Sequence, residues 1–310
     1  MEAVKQPVPG TQREPRKRFM TPHRKEAMIG WLFLAPEIIG MLFLNVFALG
    51  FSLYLSLSKW DLLSGVKGIE FIGFGNYAKL FNDPTIWQAV KNNVLYMIMT
   101  VPIPIAIAFV LAVLIHNSVF FKDYFKVAFF IPYISSIIAV AAVWSALFHP
   151  SLGPINQFLM DLGISAPPKW LVDPKTSLLS IAIISSWASL GYTIIIYMAG
   201  LTNISNEIYE AAEIDGAGPL KKFFSITVPM LRSTTFFLLI TMLIGSFKVF
   251  DIIAYLTEGG PNNSSTVLVY RIYEEGFKYY NMGYASAISW LLFAIIGILT
   301  AVTWKMRNED

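Results

Sequence analysis

An all-α membrane protein with six transmembrane helices is the fold class predicted for this chain, and three observations predict it. Of its 310 residues 55% are hydrophobic and 14% charged, with a mean hydropathy of +0.59, whereas a soluble domain carries about 25% charged residues. The apolar residues gather into six blocks, each near the ~20 residues that a helix needs to cross the hydrocarbon core. Cysteine is absent, which excludes disulfides, thiolate metal sites and cysteine nucleophiles.

The first block, Ile29 to Leu49, follows a tail carrying Lys5, Arg13, Arg16, Lys17, Arg18, Arg24 and Lys25. The block is too long for a signal peptide and lacks a small-residue cleavage site, so an uncleaved first helix is expected. Pro7, Pro9, Pro15 and Pro22 among the charges mark the tail as a flexible segment. The second block, Val94 to Ile115, and the third, Val127 to Phe148, carry proline early, at Pro102, Pro104 and Pro132. Kinked or broken helices are expected there, with the freed carbonyls satisfied by neighbours. The remaining blocks are Leu178 to Leu201, Ser233 to Leu256 and Ala285 to Trp304.

Orientation follows from the placement of Lys and Arg, since the net charge is only +3. Segments on the side of the N-terminal tail hold 14 of them and the opposite segments 8, with Lys248 left inside a span. This asymmetry predicts a multi-pass protein with both termini in the cytoplasm.

The segment 203–231 between the fourth and fifth spans is longer than a turn between antiparallel helices needs. Ile208, Ala211 and Ala212 recur at helical spacing, Gly216 and Gly218 can stop that helix, and Pro219 can open another. A short helix, a sharp turn and a second short helix before Pro229 are therefore expected. Small Ala211 and Ala212 let another protein approach, and Glu207, Glu210, Glu213 and Asp215 ask for basic groups on it. That is the form of a helix that docks in a partner's groove.

These residues carry a resemblance to a known family. Glu210-Ala211-Ala212, Asp215-Gly216-Ala217, then Ile226 and Pro229 reproduce the EAA loop of binding-protein-dependent ABC transporter permeases. The resemblance extends from about Trp31 onward through Trp170 to Pro174, Tyr197 to Leu201, Phe250-Asp251 and Leu256 to Pro261. Those runs resemble the carbohydrate-uptake branch, similar to the first membrane subunit of maltose and glycerol-phosphate importers. The resemblance implies the type I ABC importer permease fold and a place in a bacterial or archaeal cytoplasmic (inner) membrane. It divides the chain into a basic tail over 1–27, a first helix and outer loop over 28–87, and a core permease domain of five helices over 88–306. It further implies that Glu210, Ala211, Ala212, Asp215, Gly216 and Pro229 couple to an ATPase. A second homologous permease, two ATP-binding cassette subunits and an extracytoplasmic solute-binding protein are the implied partners, beside the lipid bilayer.

No phosphate loop of the form G-x-x-x-x-G-K-[ST] occurs, so ATP and magnesium are expected to be used by the partner ATPase, with no cofactor held by this chain. No H-E-x-x-H occurs, and His23, His116 and His149 are not at metal-ligand spacing, so neither a metal site nor an enzyme is expected. Nothing suggests a nucleic-acid partner.

A permeating sugar needs hydroxyl-pairing groups and flat aromatic faces. Ser185, Ser189 and Tyr192 lie at i, i+4 and i+7 on one stripe of the fourth span, and Ser246 and Phe250 lie four apart on the fifth. The resemblance puts Ser185, Ser189, Tyr192 and Ser246 at sugar-contacting positions. Tyr192 keeps the family residue type, while serines stand here for asparagines. Lys248 and Asp251, at i and i+3, are expected to neutralise each other as a structural or gate pair, with direct substrate binding as the alternative, because a lone lysine at the bilayer centre costs about 2.5–3.5 kcal/mol. Glu37, beside Pro36 in the first span, also asks for a partner. An importer of another polar solute such as a sugar phosphate, or an ion-coupled secondary transporter, are the alternatives. The second would need a carboxylate relay, and the spans offer only these groups.

Overall fold

The computed structural model describes residues 22–117 and 122–308, so most of the basic tail lies outside the described residues. The chain divides into two units, residues 1–52 and 53–310.

The first unit is most of one helix, α1 (Glu26–Ser56), long enough to cross a bilayer. Its middle, Leu42–Phe47, widens into a π turn, and Phe43, Phe47 and Phe51 stack at one-turn intervals. Trp31, Phe33 and Leu44 are among its many exposed apolar side chains, a surface that belongs in hydrocarbon. Glu37 is exposed on this helix.

The second unit opens with a two-stranded antiparallel hairpin, β1 (Ser58–Lys59) and β2 (Glu70–Phe71), and a short helix, α2 (Gly75–Asn82). Asp83 then caps α3 (Pro84–Thr100), its carboxylate accepting from Thr85 N at 2.9 Å, with Pro84 at the first helical position. Val101 and Pro102 mark the joint to α4 (Pro102–Asn117), and the two together make a 34-residue span.

The third block is not one crossing helix. It forms α5 (Lys122–Ile134) and α6 (Ile137–Leu147), bent by 97°. Pro132 removes a hydrogen bond donor and crowds the preceding turn, Ser135 Oγ donates back to Ile131 O at 2.8 Å, and Ser136 is extended at φ −55° and ψ 126°. Together they end one helix and start the next in a new direction. Beyond α6, His149 Nδ1 accepts from Ser151 N and Leu152 N and holds a turn before α7 (Pro154–Asp161).

The centre of the unit is α8 (Ser177–Thr202), buried along much of its length, with α4 and α5 packed on it. A Cβ built on Gly191 would lie 2.0 Å from the Phe129 carbonyl oxygen, so the absent side chain is what allows α5 to lie against α8. The loop helices α9 (Asn206–Ile214) and α10 (Pro219–Lys222) follow. Next come α11 (Arg232–Phe247), α12 (Asp251–Leu256), α13 (Leu268–Tyr273) and α14 (Met282–Asn308). Among the described residues five helices are long and apolar enough to cross a membrane, or six when the bent pair counts as one span.

Side-chain amides tie the loop after α12 to α3. Asn92 Nδ2 donates to the Asn263 and Thr266 carbonyls at 2.9 and 2.8 Å, and Asn93 Oδ1 accepts from Leu268 N at 2.9 Å. Backbone groups that would be costly to leave unpaired in a low-dielectric region are satisfied in this way. Arg271, itself largely buried, pairs with Glu274 at 2.8 Å and Glu275 at 2.9 Å beside them.

Candidate functional site

Two features of the second unit concern function: a cavity among α3, α5, α8 and α11, and the helical loop 203–231.

The cavity has a volume of about 480 Å³. Ser185, Ser189 and Tyr192 of α8 line it, as do Ser246, Lys248, Phe250 and Asp251 from the end of α11 and the start of α12. All seven residues singled out as pathway or gate are thus brought to one space. Ser189 Oγ donates to Ser186 O at 3.0 Å, and Ser246 Oγ to Leu243 O at 2.7 Å. With their protons engaged on the preceding turn, these two hydroxyls keep lone pairs with which to accept. Ser185 meets the hydroxyl of buried Tyr96.

Several cavity residues escaped the sequence analysis, among them Tyr133, Tyr96 and Thr100. Tyr133 stacks on Tyr192 with ring centroids 5.0 Å apart and 22° between planes, and Tyr96 and Thr100 line the wall from α3. Pro132 signalled a broken helix near Tyr133, but only the close approach at Gly191 sets which face of α5 meets α8. The stacked tyrosines offer a flat apolar face beside hydroxyl groups, an arrangement suited to a ring that is apolar on one side and polar at its edge.

The expected pairing of Lys248 with Asp251 is absent. On a continuous helix an i, i+3 pair lies on one face, but α11 ends at Phe247. Lys248 (φ −95°, ψ 5°) and Phe250 (φ −141°, ψ −61°) leave helical geometry before α12 begins at Asp251. Both charged side chains are exposed to the cavity. Phe250 turns its ring to Tyr273, 5.2 Å away in an edge contact.

The loop has the expected first helix and sharp turn, but the second helix does not stop before Pro229: it opens at Pro219 and runs on through a π turn over Phe223–Thr227 to Met230. Ser205 Oγ accepts from Glu207 N at 3.2 Å and opens α9. Gly216, at φ +76°, reverses the chain, with Ala217 N donating to Ala212 O at 2.8 Å and Gly216 N to Glu213 O at 3.0 Å. A nine-residue helix is marginal alone in water. This one is tied to the following segment by the Tyr209 and Thr227 hydroxyls, 3.0 Å apart, and by Lys222 with Glu213 at 3.3 Å. Glu210, Ala211, Asp215, Gly216 and Pro229 are exposed and Ala212 is half-buried. Ile214 is 87% exposed, Leu220 76% and Phe224 65%. The loop thus displays large apolar side chains beside carboxylates at its surface.

Gly216 has open space around it, so a side chain there meets strain from the positive φ alone. Gly216→Val is expected to destabilise the turn by about 1–2 kcal/mol without unfolding the helices, raising protease cleavage within 203–231 in detergent. Unchanged cleavage would mean that the turn does not depend on glycine.

Comparison with known proteins agrees with this geometry. The model of the family described as binding-protein-dependent transport system inner membrane component matches residues 71–304. A probable ABC transporter permease, YurN of Bacillus subtilis, is 35% identical over 281 residues, covering 90% of this chain and 95% of its own. The lactose transport system permease LacF of Rhizobium radiobacter is 35% identical over 285 residues, covering 90% and 94%. The arabinooligosaccharides transport system permease AraP of Bacillus subtilis is 31% identical over 306 residues, covering 98% and 95%. Among solved structures, a chain of a bacterial ABC transporter involved in alginate import superposes with a TM-score of 0.80 at 22% identity, over 93% of this chain and 97% of that one.

Proposed function

The chain belongs to the binding-protein-dependent ABC transporter permeases, multi-pass subunits of the inner membrane, and from that premise we propose that it forms half of the translocation pathway of an ATP-driven sugar importer. The observation that carries the solute class is the cavity, where stacked Tyr133 and Tyr192 adjoin the hydroxyls of Ser185, Ser189 and Ser246. Permeases named for lactose and arabinooligosaccharide transport, alike over nine-tenths or more of this chain, support a mono- or oligosaccharide.

In this reading a second, similar permease supplies the other half, and two ATPase subunits sit on the cytoplasmic side, the side on which the Lys and Arg asymmetry predicts both termini. An extracytoplasmic solute-binding protein delivers the sugar. The chain itself is non-catalytic, and ATP with magnesium is used by the ATPase. Glu210 pairs with a basic residue of the ATPase cleft, Ala211 and Ala212 let the cleft wall approach, and Ile214, Leu220 and Phe224 fill its apolar part. When ATP closes the ATPase dimer, α9 moves with it, and α8 and α11 change the side to which the cavity opens. A ligand shifts such an equilibrium only by its differential affinity for the two states, so the cleft must grip α9 in both.

Tyr192→Ala tests the pathway. Loss of one aromatic platform, worth about 1 kcal/mol beyond its area, is expected to lower labelled-sugar uptake by the complete importer severalfold while basal ATP hydrolysis persists. Uptake at the wild-type rate would remove Tyr192 from the pathway.

A further inference from the structure

Lys248 and Asp251 are the two charged groups that the cavity wall presents, and they form no ion pair with each other. The helix break at Lys248 to Phe250 takes them out of pairing register, and both remain exposed to the cavity. An unpaired ion at membrane depth is costly and points to a water-filled space or a bound polar group. The rest of the lining consists of hydroxyls, aromatic faces and apolar side chains. The cavity wall therefore carries one cation and one anion that form no ion pair with each other.

We propose that Lys248 and Asp251 are solute contacts that make the cavity selective for uncharged polyhydroxylated solutes, an assignment that rests on the sugar reading above and narrows it. A neutral solute with several hydroxyls gains from both groups, since the ammonium donates up to three hydrogen bonds and the carboxylate accepts several. An anionic solute gains at Lys248 and is repelled at Asp251. A cationic solute meets the reverse. Specificity then comes from the repulsive member of the pair as much as from the attractive one. Removing either charge turns a balanced cavity into a charged one, and the sign of the solute it admits should follow.

The absence of cysteine makes a direct test possible. Ser189→Cys places one thiol on the cavity wall, in the complete importer purified in detergent. Its modification by cationic trimethylammonioethyl methanethiosulfonate and by anionic sulfonatoethyl methanethiosulfonate is followed by intact mass of this chain. Ser185→Cys serves as a second reporter should the first react too slowly to measure, and size-exclusion chromatography checks that each variant stays assembled. Adding Asp251→Asn is expected to shift the ratio of the two rates about three- to tenfold towards the anionic reagent, and adding Lys248→Gln to shift it as far towards the cationic one. The two changes together should restore the starting ratio. A ratio that neither change moves would overturn the proposal, because the charges would then not act on the space that the solute occupies. No sugar is present in this measurement, so a failure of the sugar reading in the uptake assay leaves its outcome unaffected.

Discussion

Glu210→Arg is expected to abolish uptake while leaving the fold of the chain intact. Glu210 is exposed on α9, and the elements that hold the helix, Ser205 at its start, Gly216 at its end and the Tyr209 to Thr227 contact, do not include it. A surface substitution of this kind changes stability by about 0.5 kcal/mol or less. At a docked interface the same change sets like charges against each other and leaves a cation unpaired, at about 2–5 kcal/mol. That lowers affinity by about 30-fold or more. The measurement is recovery of the ATPase with the tagged chain in mild detergent, beside uptake. If both match the wild type, Glu210 has no part in coupling.

Gly191→Leu is expected to destabilise the chain strongly and to stop uptake. The added Cβ would lie 2.0 Å from Phe129 O, 2.6 Å from Phe129 C and 2.8 Å from Phe130 Cα. All three are backbone atoms, so no side-chain rotation relieves the clash and α5 must move off α8. Overpacking of this kind costs about 1–3 kcal/mol or more. The displacement also reaches the cavity, because Tyr133 on α5 stacks against Tyr192, the residue after Gly191. A lowered melting temperature in detergent and loss of uptake are predicted. Gly297→Ala on α14, where an added Cβ meets nothing within 4 Å, is the control expected to change neither. Normal stability of Gly191→Leu would mean that α5 and α8 do not meet at this point.

What was legible in the sequence was local. Hydropathy located the helices because the bilayer imposes a length on each, and the loop 203–231 was readable because Gly216 and Pro219 punctuate it where the chain must turn. Pro132 likewise announced a break, but the 97° bend also needed Ser135 and Ser136, whose role depends on what packs around them. The stripe of Ser185, Ser189 and Tyr192 was visible as a period on one helix. Tyr133 was not, because its place opposite Tyr192 depends on the close approach at Gly191, a contact between segments far apart in the chain. Lys248 and Asp251 were assigned to each other on the assumption of continuous helix. No glycine or proline stands in Lys248-Val249-Phe250 to signal the break. The break coincides with packing of Phe250 against Tyr273 and of Ile252 and Ile253 into the core with Ile181 and Tyr270.

The central claim, that this chain is one membrane subunit of an ATP-driven importer, is tested most directly by the native mass of the complex recovered when the tagged protein is extracted from its own membrane. The account predicts an assembly of this chain with a second permease and two copies of an ATP-binding subunit. A chain recovered alone, or only with copies of itself, in a preparation that still takes up solute without ATP would contradict it.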